Sequence, residues 1–222
     1  MSQVFSLAQN DKVVLEKANA SAMDHFAVGM NWSAIQKGGK LGFLAGKILG
    51  DSVKAALQDG IDFDVSVVCI DKDGAVGEYV TATKHSNINN SIKHSGDDDS
   101  GDAGEDDGAD NEIVNMELSK VPDNVQSLFM TLTIASNHTL DKAPSAMARI
   151  YDTHRTTNDT KSNMHFAEFG ISGNNKYNGM KGLILAKVSR TPADPKKWEL
   201  TIIDQPNASD SLRVLANICS SL

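Results

Sequence analysis

The segment Gly96–Glu112, GDDDSGDAGEDDGADNE, constrains this chain more than any other feature. It holds nine carboxylates (Asp97, Asp98, Asp99, Asp102, Glu105, Asp106, Asp107, Asp110, Glu112) and no Lys or Arg. The net charge of the chain is -8, so without these nine charges it would be -8 + 9 = +1. Nearly all the acidity therefore sits in one stretch. Carboxylates packed this closely repel one another and stay folded only with cations or proton uptake. Gly96, Gly101, Gly104 and Gly108 space the run and let the backbone turn back, so that several oxygens can converge. Oxygen-only surroundings of this kind suit a hard cation, Ca²⁺ above all. The competing reading is a solvated, disordered polyanion.

The rest of the chain reads as ordinary globular protein, with 40% hydrophobic and 23% charged residues among 222. A pI near 5.2 argues against nucleic-acid binding, which needs a concentrated basic face. Cys69 and Cys219 form no disulfide framework and read as core thiols in a reducing compartment. The opening MSQVFSLAQNDK has neither a basic start nor a long apolar stretch, and no run of 18 apolar residues follows. The expectation is a cytoplasmic protein without a membrane span.

Short β-rich runs with polar turns recur along the sequence. Val4–Leu7 and Val13–Glu16 flank Gln9-Asn10-Asp11 and read as a hairpin. His25–Trp32, Phe63–Ile70, Ala75–Thr83, Ile113–Leu118, Ser127–Ala135, Ala146–Asp152, His165–Ile171, Leu183–Ser189 and Trp198–Asp204 read as further strands. Asp71-Lys72-Asp73-Gly74 marks a tight turn between two of them. The pattern predicts an all-β fold, a β-sandwich of two antiparallel sheets. Two helices are expected beside it. One is terminal, capped by Ser209 or Asp210, with Leu212, Leu215, Ala216 and Ile218 on its apolar face. The other is a short inserted helix over Lys40–Leu57, within a Gly-rich insertion at 37–60. The whole of 1–222 is read as a single domain.

Asp62-Phe63-Asp64 places two acids on one face at the start of a strand, which makes sense opposite a cation. Asn87, Asn89 and Asn90 add amide oxygens ahead of the acidic run, so 84–112 reads as one metal-binding loop. This arrangement resembles the TerD family of tellurium-resistance and stress proteins. The resemblance rests on Val28-Gly29-Met30-Asn31-Trp32, Asp62-Phe63-Asp64-Val65-Ser66, Ile70-Asp71, Asn87, Asn90, His94-Ser95-Gly96-Asp97, Ser100-Gly101 and Ala109-Asp110-Asn111-Glu112. Leu118-Ser119-Lys120-Val121-Pro122 and Phe129–Ile134 extend it.

The resemblance implies a calcium-binding β-sandwich whose acidic loop wraps two Ca²⁺ ions. By position it implies Asp62, Asp64, Asn87, Asp97, Asp98, Asp110, Asn111 and Glu112 as ligands. Asp98 stands where the family usually has Asn, and Asn111 where it usually has Asp. It further implies a non-catalytic stress-response protein whose partners are other stress-response proteins and a membrane-associated complex. Three departures stand out: extra acids between Gly101 and Ala109 (Asp102, Glu105, Asp106, Asp107), Ser33 in place of a usual Asp, and the long insertion at 37–60.

Other chemistries fit less well. An EF-hand begun at Asp97 would need Gly, not Asp102, at its sixth position. His85, His94, His138, His154 and His165 fall in no zinc-like spacing. No nucleophile elbow, P-loop or dinucleotide motif occurs. The alternatives kept open are an acidic-loop interaction module without metal, and a Ca²⁺-dependent binder of small anionic ligands.

Overall fold

The computed structural model describes residues 7–16, 22–36, 48, 58–102, 108–153 and 164–222. Thirteen strands are assigned among these residues. They are β1 (Lys12–Val14), β2 (His25–Trp32), β3 (Ile35–Gln36), β4 (Gln58–Asp59), β5 (Phe63–Asp71), β6 (Val76–Val80) and β7 (Ile92–His94). After these come β8 (Glu112–Glu117), β9 (Val125–Ile134), β10 (Ala146–Asp152), β11 (Met164–Gly170), β12 (Gly182–Arg190) and β13 (Trp198–Asn207), followed by helix α1 (Leu212–Cys219). One sheet runs β1-β13-β12-β9-β5-β6 and the other β11-β10-β2-β8-β7, with antiparallel pairing throughout.

Alternation explains why these segments become strands and where their faces go. In β2, Phe26, Val28, Met30 and Trp32 join the main core; in β5, Phe63, Val65, Val67 and Cys69 do the same from the other sheet. The two sheets thus close on one apolar interior, which is the expected sandwich. The opposite face of β5 carries Val68 and Ile70. With Phe129 and Ile184 they pack under Leu215, Ala216 and Cys219 of α1. The helix therefore covers a second, smaller apolar patch outside the sandwich.

Several details depart from the sequence reading. The Ala8–Asp11 turn forms, with Asn10 at φ 71, but β1 pairs with β13 rather than with the segment before it. Most of that segment, residues 4–6, lies outside the described residues. Helix α1 starts after Ser211, which makes no side-chain cap; Ser209 instead accepts the Ser211 N–H at 3.1 Å, two residues too early to cap the helix. The inserted helix lies outside the described residues apart from Ile48. What is described is its stem, in which Ile35 pairs with Asp59 and Gln36 with Gln58. Strand β7 falls inside the region read as loop. It pairs with β8 and buries Ile92 and His94 while exposing Lys93.

One buried cation is structural. Arg190 donates to the carbonyls of Val125 (2.9 Å), Val121 (2.8 Å), Pro122 (3.3 Å) and Pro195 (2.6 Å). Its guanidinium also lies 4.5 Å from the Trp198 ring centroid. Lysine keeps the charge but cannot reach these carbonyls from one planar fork. Arg190→Lys should cost about 2 kcal/mol and lower Tm by about 4–8 °C, read by thermal unfolding with an unchanged far-UV spectrum.

Candidate metal centre

The acidic loop is anchored by Trp32 at the end of β2. The Trp32 indole Nε1 donates to the Ile61 carbonyl at 2.7 Å and its ring packs 5.4 Å from Phe63. Its backbone N–H donates to Asn111 Oδ1 at 2.8 Å, and its carbonyl accepts the Asp102 N–H at 2.9 Å. Both arms of the loop, 96–102 and 108–112, are thus tied to one residue. Gly101 makes this approach possible: its φ is +68, and an added Cβ would overlap the Trp32 ring.

A second tie crosses between the sheets. Along Phe63–Ser66, β5 has no strand on the side away from β9, because β6 pairs only from Val67 onward. Two buried side chains take the place of that strand. Glu112 Oε2 accepts the Val65 N–H at 2.9 Å, and His94 Nε2 lies 3.0 Å from the Val65 carbonyl. His94 Nδ1 accepts the Gly96 N–H at 3.0 Å, so the ring proton sits on Nε2 and points at Val65. Glu112 Oε1 also accepts the Asp98 N–H at 3.2 Å. The glutamate therefore fixes both the sheet edge and the start of the loop, with its side chain fully buried.

Three of the expected ligands come together on this frame. Asp62, Asp64 and Asp97 each offer a carboxylate oxygen within 4.8 Å of the others. Asp62 and Asp64 share the face opposite Phe63 and Val65, as the i, i+2 spacing predicts. Burial, then the neighbouring carboxylates, push Asp62 up to about 6 and Asp64 up to about 7. Asp62 Oδ1 is buried without a hydrogen-bond partner. An orphaned carboxylate oxygen beside two further carboxylates is a donor set that fits a hard divalent cation.

The remaining expected ligands are placed otherwise. Asp98 Oδ1 turns back to Ser100 N (3.0 Å) and Gly101 N (2.8 Å), closing the local turn. Asn111 Nδ2 bridges Asp98 Oδ2 at 3.3 Å and Asp102 Oδ1 at 3.1 Å, linking the two arms. Asn87 is used within its own turn, with Nδ2 on Asn89 Oδ1 and Ser91 Oγ (both 2.9 Å) and Oδ1 on Ile92 N (3.0 Å). Asp110 faces Arg149. Glu105, Asp106 and Asp107 lie outside the described residues. Sequence reasoning passed over His94 as a sheet-edge group and Arg149 altogether. The available signal for Arg149 was its parity in β10, opposite to the apolar Ala148 and Ile150.

A TerD domain model matches residues 3–218. The chain belongs to the TerD family. Tellurium resistance protein TerZ of Serratia marcescens is 31% identical over 147 residues, covering 66% of this chain and 68% of that protein. A crystal structure of a homologue of a telluride resistance protein (TerD) from Streptomyces coelicolor A3(2) superposes with TM-score 0.63 at 12% identity. The match covers 88% of this chain and 96% of that one. A crystal structure of a protein of unknown function gives TM-score 0.65, also at 12% identity, covering 90% and 98%. At that identity the two structures support the TerD fold alone. Among the described residues, no helix of this TerD chain is long and apolar enough to cross a membrane.

The raised carboxyls give the site a pH dependence. The metal-free native state holds protons on Asp62 and Asp64 that the unfolded chain releases near 3.8. The stability they confer is full below that value and is lost as pH rises through about 6 and 7. A divalent cation competes with the same protons, so its affinity should climb over that window. Calorimetric Ca²⁺ titrations at pH 5.5 and pH 8 should differ by about tenfold or more in Kd, tighter at pH 8.

Proposed function

We propose that this TerD-family chain is a non-catalytic calcium-binding protein of tellurite, metal or general stress resistance. Asp62, Asp64 and Asp97 would hold the cation, and the ion would fix the already anchored 96–102 arm of the acidic loop against the sandwich edge. The observation that carries this reading is the buried, unpartnered Asp62 oxygen within reach of two more carboxylates. When bound, the ion supplies positive charge that these carboxylates otherwise lack. The chain's own part is to hold three acids together before binding: Glu112 and His94 fix β5 at Val65, and Trp32 fixes both loop arms.

The name of its 31% identical relative, tellurium resistance protein TerZ, supports the physiological part of the reading, and the absence of nucleophile motifs supports a binding role. We place the protein in the cytoplasm, acting with other stress-response proteins at a membrane-associated complex. Loop order would be the signal such partners read.

Thermal unfolding tests the reading. A cation that binds only the native state at a hundredfold excess over Kd adds about 2.7 kcal/mol, or about 5–10 °C in Tm for a chain of this size. EDTA should remove that increment and Ca²⁺ restore it. Identical Tm values in EDTA and millimolar Ca²⁺ would count against calcium binding.

A further inference from the structure

The second arm of the acidic loop carries its own counter-charge. Asn111 sits beside β2 in line with β8, and residues 109–110 turn over the outward face of β2 towards β10. Asn31 Nδ2 donates to the Ala109 carbonyl, and the Asn111 N–H donates to the Met30 carbonyl at 2.8 Å. Between these ties the Asp110 side chain points into the sheet and is fully buried. Space for it exists only because position 29 is glycine: an added Cβ would overlap the Asp110 carboxyl. Arg149 is the cross-strand partner of Gly29 and reaches over that gap to form an ion pair with Asp110. Tyr151, two residues along the same strand and 1% exposed, also faces Asp110.

We propose that Arg149 is the fixed cation of the acidic loop, so that Asp110 is held by a guanidinium and is not a calcium ligand. The family pattern would make Asp110 a ligand; here Arg149 takes its Oδ1, while Oδ2, buried without a hydrogen-bond partner, is pressed against Gly29, where an added Cβ would overlap it and no room is left for an ion. A divalent ion brought to the same carboxylate would meet Arg149 at close range in a buried setting, where like charges are weakly screened. The loop therefore has two differently closed arms. The 108–112 arm docks on the β2–β10 face without metal, whereas Asp97 on the 96–102 arm completes a site with Asp62 and Asp64. A docked second arm holds the loop close to its site before any ion arrives, reducing the ordering entropy that binding must overcome. The count of bound ions rests on the calcium reading above; the Arg149–Asp110 latch does not.

Two measurements on the full chain test this. In EDTA, Asp110→Asn and Arg149→Met should each lower Tm by roughly 6–12 °C, as breaking a buried pair does. The double variant should fall no further than the worse single one. Additive losses would overturn the latch. In Ca²⁺ calorimetry, Asp110→Asn should keep the wild-type stoichiometry and a Kd within fivefold. Loss of one bound ion, or a larger weakening, would make Asp110 a ligand and overturn the inference. If wild type binds no Ca²⁺, the calcium reading fails, and the thermal cycle alone decides the latch. Should Arg149→Met not fold, Arg149→Lys takes its place in the cycle, with a smaller loss expected and the same non-additivity.

Discussion

Gly101→Ala should be among the most damaging single substitutions in this chain, costing about 3 kcal/mol and about 6–12 °C in Tm. Two independent effects combine. Gly101 sits at φ +68, a region that L side chains occupy only with strain, and its Cβ would enter the Trp32 ring and come 2.7 Å from the Trp32 carbonyl. Trp32 cannot yield easily, because its indole N–H is bound to Ile61 and its backbone holds Asn111 and Asp102. Gly173 provides the control: its φ is +67, yet nothing lies within 4 Å of an added Cβ. Gly173→Ala should therefore cost only backbone strain, about 1 kcal/mol. If the two variants melt together, Trp32 does not anchor the loop.

Asp64→Asn should separate the cost of the site from its use. In the metal-free protein at pH 8, Asp64 is above its raised value of about 7, so the stability its proton supplied is gone and its charge opposes folding. Burial and the nearby Asp62, Glu112 and Asp97 carboxylates cause that opposition. The neutral, isosteric amide relieves it. Asp64→Asn should thus raise Tm in EDTA at pH 8, have little effect at pH 4, and weaken Ca²⁺ by at least about tenfold, since even groups behind a ligand typically cost 10–100-fold. A variant that is less stable in EDTA at pH 8 yet binds Ca²⁺ normally would mean that Asp64 is a structural acid.

The architecture was legible wherever one strand face had to be apolar. His25–Trp32 and Ala146–Asp152 were bounded correctly because their alternating residues enter a common core. Ile92–His94 escaped because three residues, one of them lysine, offer no period to read. Pairing partners were less legible than strands. Nothing local distinguishes Val13 pairing with the preceding segment from Val13 pairing with Leu200, nearly two hundred residues away. The same divide runs through the site. Asp62 and Asp64 meet because strand geometry puts i and i+2 on one face, whereas Asp97 was named only by the family pattern and is brought to them by the fold. Asp110 and Asn87 depend on which donor lies nearest in space, Arg149 for one and the Ile92 N–H for the other.

The central claim is that Asp62, Asp64 and Asp97 jointly bind a divalent ion. A crystal structure grown in excess Ca²⁺ tests it most directly. It should show one ion bonded to oxygens of all three side chains at about 2.3–2.6 Å, with Asp110 still on Arg149. Well-ordered Asp62, Asp64 and Asp97 carboxyls with no ion between them, or an ion bound elsewhere in the loop and not touching Asp62, would contradict it.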